Sequence, residues 1–288
     1  MSLKLREKCF TEFGKKIVHE KRFLNDLMIE IKLDEVSLHE LQEATINYLV
    51  KSSQVDEIVK NESDLLNLLH NHELKNITAN GSVISKKSIS LEYNLLAKAY
   101  MRCLSKLGVN NEIEKIHFPP NLRVKYPNIK DNHMQRNHPT ESMHSDGWTG
   151  ASPNWVAIHI FLLGDIENNH IRYAYPPDDL KEEWLSPKLT SSENKKFVEK
   201  FKIVDYIPKK GTMLVVDNSV IHQSFRKPGA GIRVSLDTGI DVRMPDLIEN
   251  SYKRDVNIEG INVDQLRKKE EFETQTILDI GVNSYFHF

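Results

Sequence analysis

Residues 144–150 read HSDGWTG, placing a histidine and a carboxylate two positions apart beside a tryptophan and two glycines. Side chains alternate along an extended strand, so positions two apart project from one face. His144 and Asp146 are therefore spaced to share a metal ion. One more histidine from a neighbouring strand would complete a face of two imidazoles and one carboxylate, with three coordination positions left open. That donor set suits non-haem Fe(II) and its oxygen chemistry. His222 meets the requirement: it begins the stretch HQSFRK, directly after the apolar run GTMLVVDN and its turn. Eleven residues further on, Arg233 and Ser235 share strand parity in IRVSLDTGI. A guanidinium beside a hydroxyl can grip a carboxylate through charge-assisted hydrogen bonds. The plainer alternative gives the same residues structural work: a turn at Asp146-Gly147, a surface His144 and an ion-paired Arg233.

Other chemistry-bearing residues have a bland reading beside the functional one. His159, inside WVAIHIFLL, reads as a packed, hydrogen-bonded histidine. Arg226 competes with Arg233 as a carboxylate partner, since it shares strand parity with His222. His133, Arg136 and His138 lie in the polar loop DNHMQRNHPTESM, where Arg136 is a candidate for substrate contact. Trp148 is a candidate wall of the pocket or an ordinary packed indole. Arg123 and Tyr126 are candidates for polar contact on a strand leading to the site. Asp217-Asn218 reads as a turn rather than a fourth ligand.

The elements that must position these groups change character along the chain. The first hundred residues read as mostly helical. Ser37-Leu-His-Glu40 fits a capping box, followed by a stripe of Leu38, Leu41, Thr45, Tyr48 and Leu49. A second helix is expected over 63–70. A third carries Leu91, Leu95, Leu96, Ala99, Cys103, Leu104 and Leu107, with Gly108 as its left-handed cap. From residue 113 the period falls to two, and short strands are expected from Ile113, Asn154 and His170 and in 201–208, 211–218, 222–227 and 232–240. Many short strands with turn signals between them indicate a barrel or sandwich. Residues 178–200 lack strand character and read as an inserted helix or lid. The chain thus divides into a helical region 1–112, a strand-rich core 113–243 and a C-terminal helical extension 244–288, whose RKKEEFE run at 267–273 reads as a solvated helix face.

Composition narrows the function. A chain of 288 residues with 39% hydrophobic and 28% charged residues can bury a full core. Its formal charge of −2 offers no field to draw phosphates, so neither nucleic acid nor an anionic membrane is expected as partner. Two cysteines and no apolar leader or spanning run indicate a soluble, cytoplasmic protein. No Gly-rich strand-to-helix turn occurs, which argues against a dinucleotide fold. The helical third and the aromatic terminus GVNSYFHF offer surface for a possible homodimer.

Taken together, HSD at 144–146, His222 and RVS at 233–235 resemble the HxD…H…RxS signature of the Fe(II)/2-oxoglutarate-dependent oxygenases, over roughly residues 113–243. The resemblance implies a mainly β protein with flanking helices (α+β), whose core is a double-stranded β-helix, or jelly roll. It implies Fe(II) held by His144, Asp146 and His222, and 2-oxoglutarate held by Arg233 and Ser235, with O2 as second cosubstrate. The activity implied is hydroxylation or desaturation of a C–H bond; the carboxylate of Asp146 disfavours halogenation, for which the family vacates that position. The polarity of the HMQRNH loop, with Trp148 and the 178–200 segment, points to a polar small-molecule substrate. Two other classes are consistent with the core: a cupin-like metal enzyme without 2-oxoglutarate, and a non-catalytic jelly-roll binding protein.

Overall fold

The computed structural model describes residues 2–118, 120–128, 138–188, 194–244 and 261–262. Four helices and a hairpin precede the strand-rich part: α1 (Leu3–Lys16), β1 (Lys21–Asn25), β2 (Met28–Lys32), α2 (Glu35–Ser53), α3 (Glu62–Asn71) and α4 (Ser90–Lys106). Strands β3 (Ile113–Ile116), β4 (Asn121–Lys125), β5 (Trp155–Gly164), β6 (Asn169–Tyr175), β7 (Lys202–Ile203), β8 (Thr212–Asp217), β9 (Ile221–Arg226), β10 (Arg233–Val242) and β11 (Ile261–Asn262) follow. They form two antiparallel sheets. The larger runs β1-β2-β8-β5-β10-β3-β11, with β4 also on β10; the smaller runs β7-β6-β9. The architecture is mixed helix and antiparallel sheet.

Strand alternation sorts the larger sheet into two chemically distinct faces. Val156, Ile158, Ile160 and Leu162 of β5, with Val234, Leu236, Ile240 and Val242 of β10, are buried in one apolar core with Leu41, Tyr48, Leu65, Leu96 and Tyr100 of the helices. The opposite parity carries Arg123 and Lys125 on β4, His159 and Phe161 on β5, and Arg233, Ser235 and Asp237 on β10. Register places Lys125 against Arg233, Arg123 against Ser235, and His159 against Asp237. One face thus joins the core, and the other presents a row of polar and charged groups toward the smaller sheet.

Several sequence expectations need correction. Helix α2 begins at Glu35, not Ser37: Asp34 is its N-cap, accepting from the Ser37 N–H at 3.0 Å and the Ser37 hydroxyl at 2.7 Å. A carboxylate three residues earlier outcompetes the hydroxyl because it satisfies two donors of the first turn. The buried face of α4 is Tyr93, Leu96, Ala97, Tyr100, Cys103 and Leu104, while Leu91 and Leu95 are exposed. Leucines dominated the apparent stripe and hid the two tyrosines. Gly108 does take the left-handed conformation (φ +72°) that ends this helix. The β1–β2 hairpin was not foreseen within the helical region; β2 pairs with β8 and extends the larger sheet. The strand expected over 201–208 shrinks to Lys202–Ile203. In 178–200 the described residues form a 3-10 turn, Glu182–Leu185, and a short helix, Lys195–Val198. The helical extension expected over 244–288 lies outside the described residues, except that Ile261–Asn262 is a strand. No described helix is long and apolar enough to cross a membrane.

Candidate metal centre

His144, Asp146 and His222 converge, their ligand atoms all within 4.8 Å of one another. The means differs from simple strand alternation. His144 and His222 form an isolated antiparallel bridge, each N–H donating to the other's carbonyl at 3.0 and 2.8 Å. Their imidazole centroids lie 4.5 Å apart. Asp146 is not in a strand: it starts a 3-10 turn, Asp146–Thr149, capped by the Ser145 hydroxyl, which accepts from the Gly147 N–H at 3.1 Å. That turn swings the carboxylate back, bringing Asp146 Oδ1 to 3.7 Å from His222 Nε2.

Two contacts fix which atoms the triad can offer. His144 Nδ1 lies 2.8 Å from the Ser142 carbonyl, which places a proton on Nδ1 and the lone pair on Nε2. The Trp155 indole N–H donates to Asp146 Oδ2 at 2.9 Å, leaving Oδ1 toward the histidines. Burial, with His222 close by, holds the His144 imidazole well below its usual pKa, so it is neutral. Burial alone would raise the Asp146 carboxyl, but His222, His144, His159 and the Trp155 bond hold it below the ordinary carboxylate value. A neutral His144 imidazole beside an ionised Asp146 carboxylate matches the protonation states that a divalent first-row metal requires.

Beyond the triad the polar face continues. The Tyr173 hydroxyl lies 2.9 Å from His159 Nδ1, and the His159 ring is 5.2 Å from that of His222. Burial drives His159 down to about 4, so it too is neutral and shares a hydrogen bond with the tyrosine hydroxyl. It is a packed, hydrogen-bonded histidine that bridges the two sheets. Arg233 is completely buried, and none of its three guanidinium nitrogens has a hydrogen-bond partner among the described residues. Burial draws it down to about 10 against the pull of Asp237 and Tyr173. Ser235 donates to Asp237 Oδ1 at 2.8 Å, and Asp237 Oδ2 pairs with Arg123 Nε at 2.9 Å.

The remaining candidates are placed as follows. Arg226 is occupied, donating to the Tyr126 carbonyl at 2.7 Å and to Glu141 at 3.3 Å. Arg123 also donates to the Asn80 carbonyl, and the Tyr126 hydroxyl accepts from the Leu74 N–H. Trp148 is a packed indole, 2% exposed, donating to the Trp184 carbonyl at 2.7 Å. Asp217 is buried against Arg6. His133 and Arg136 lie outside the described residues. Trp155, Asp237 and Tyr173 were not foreseen; only their parity with Ser235, Arg233 and the site histidines could have flagged them.

No protein-family model matches the sequence, and no curated protein does. Among solved structures, the chain is similar to the non-haem α-ketoglutarate-dependent carbocyclase SnoK from nogalamycin biosynthesis. That pair shares 11% identity and a TM-score of 0.46, over 90% of this chain and 96% of that one. The epimerase SnoN from the same biosynthesis shares 11% identity and a TM-score of 0.45, over 89% and 94% of the two chains. EctD from S. alaskensis, solved with 2-oxoglutarate and 5-hydroxyectoine, shares 15% identity and a TM-score of 0.42, over 81% and 80%. These neighbours are distant, and the functional reading rests on the side chains of this chain, where the His-Asp-His triad of the HxD…H pattern stands assembled.

Proposed function

We propose that this chain is a non-haem iron enzyme that uses 2-oxoglutarate and O2 to hydroxylate, or desaturate, an unactivated C–H bond of a polar small molecule. The observation that carries the reading is Arg233. Among the described residues, the other fully buried guanidinium, Arg6, makes five hydrogen-bond contacts, whereas Arg233 makes none. An unpaired buried cation is costly, so the position is built for an anion that arrives from outside. A carboxylate matches the guanidinium fork.

His144 Nε2, Asp146 Oδ1 and His222 would hold the Fe(II), and Arg233 would take the far carboxylate of 2-oxoglutarate. When bound, iron and keto acid would activate O2 for C–H cleavage, one oxygen atom entering succinate as CO2 leaves and the other going to the substrate or to water. The chain's own part is orientation. The Ser142 carbonyl fixes the His144 tautomer and Trp155 fixes the Asp146 rotamer. Ser235 reaches the same carboxylate by turning its hydroxyl away from Asp237. The buried His159–Tyr173 pair, packed beside His222, keeps water from that side. In this reading the two sheets are a double-stranded β-helix, with residues 113–243 as catalytic core and 1–112 packed on it.

The test is an anaerobic titration of Fe(II)-loaded protein with 2-oxoglutarate, following the visible charge-transfer band of an iron–keto-acid chelate. Wild type should develop the band, and Arg233→Ala should need far more 2-oxoglutarate to reach it. Bound iron with no band at any concentration would overturn the cosubstrate and leave a metal enzyme of another kind.

A further inference from the structure

Arg6, on the N-terminal helix, lies far in sequence from every residue of the triad, yet its side chain is 0% exposed and all three of its guanidinium nitrogens donate hydrogen bonds. Nη1 shares an N–H between both oxygens of Asp217, at 2.9 and 3.1 Å. Nη2 donates to Glu182 Oε1 at 2.9 Å and to the Pro153 carbonyl at 3.0 Å, and Nε reaches Glu182 Oε2 at 3.4 Å. Three separate loops therefore meet on one planar group.

Each loop leads to the metal centre. Glu182 opens the 3-10 turn whose Trp184 carbonyl accepts the Trp148 indole N–H, and Trp148 belongs to the turn that begins at Asp146. Pro153 lies two residues before Trp155, the donor that holds Asp146 Oδ2. Asp217 Oδ1 accepts the Ser219 N–H at 2.8 Å and the Ser219 hydroxyl at 2.5 Å, ordering the turn that enters β9 and delivers His222. In that same turn the Asn218 carbonyl accepts from the Ser145 hydroxyl at 3.0 Å, between the two ligand candidates His144 and Asp146.

We propose that Arg6 is a positioning residue of the metal centre, a single guanidinium that sets the relative placement of the Asp146 turn, the Trp155 strand start and the His222 turn. This rests on the metal reading above and extends it: the N-terminal helix α1 is part of the centre's scaffold. Groups that orient metal ligands from behind, when removed, characteristically weaken metal binding by about 10–100-fold.

Co(II) binding tests the proposal, read by its visible d–d bands in titrations alongside thermal melting of the metal-free protein. The main variant is Arg6→Met with Glu182→Gln and Asp217→Asn, which strands no buried charge and so preserves a folded chain. It should melt cooperatively yet bind Co(II) at least about tenfold more weakly, with altered bands. Arg6→Lys keeps the charge but cannot reach three loops at once; it should lose part of the affinity, and it decides the matter should the triple variant fail to fold. A cooperatively folded variant with wild-type Co(II) affinity and spectrum would make the network purely structural and overturn the proposal. Wild-type protein that binds no Co(II) would remove the metal reading itself, a distinct result that takes this inference with it.

Discussion

Arg233 is the residue whose two possible roles predict opposite outcomes. A structural ion-pair arginine would destabilise the fold on removal, by several kcal/mol for a buried pair. A ligand-binding arginine with no internal partner costs the free protein its desolvation. Arg233→Met should therefore leave the melting temperature of the metal-free protein unchanged or raised, while weakening 2-oxoglutarate binding by roughly 100-fold, as expected for two charge-assisted hydrogen bonds. A melting temperature lowered by many degrees would return Arg233 to a structural role beside Asp237. At this scale the sequence was informative where spacing along one segment sufficed. Arg233 and Ser235 could be paired from strand parity, and His144 and Asp146 from their separation, although a 3-10 turn rather than strand alternation brings that pair together. Trp155 and Tyr173 were not legible: their bonds to Asp146 and His159 cross between segments, and register, not spacing, creates them.

Elements rather than residues decide how Asp146 is presented. Its 3-10 turn fits only because Gly147 lacks a side chain: a Cβ there would stand 2.3 Å from the Leu185 carbonyl oxygen and 3.2 Å from Ser145 Oγ. Backbone cannot yield as a side-chain tip can, so Gly147→Ala must push apart the Asp146 turn and the Glu182–Leu185 turn. The expected result is a loss of about 1–3 kcal/mol in denaturant unfolding, with metal affinity falling by more than the stability change accounts for. Wild-type metal affinity in this variant would show that Asp146 is held independently of its turn. The misread elements fail for related reasons. Residues 21–32 show little alternation of their own, with no residue of β1 buried, and become a hairpin because β2 finds β8 as partner. The start of α2 was displaced because Asp34 and Ser37 both qualify as caps, and the structure uses them together.

For the molecule as a whole, the buried polar face makes stability depend on pH and on metal. His159 is neutral in the fold, with burial holding it at about 4 against 6.5 in an open chain. The unfolded state therefore takes up a proton first: this contribution is complete above pH 6.5, is lost as pH falls toward 4, and is flat below. Its size is on the order of 3 kcal/mol, and His159→Gln should flatten that limb of a stability–pH curve for the metal-free protein. A curve of unchanged slope would show that His159 is charged inside the fold. Metal acts in the opposite direction, since the assembled triad exists only in the folded chain and a bound ion stabilises that state by mass action. Mn(II) at 100 times its dissociation constant should contribute about 2.7 kcal/mol, a rise of roughly 5 °C in melting temperature for a chain of this size. Excess chelator should reverse the rise, and Asp146→Ala should abolish it while still melting as a cooperative fold. An equal rise in wild type and Asp146→Ala would place the bound ion somewhere other than the His144, Asp146 and His222 face.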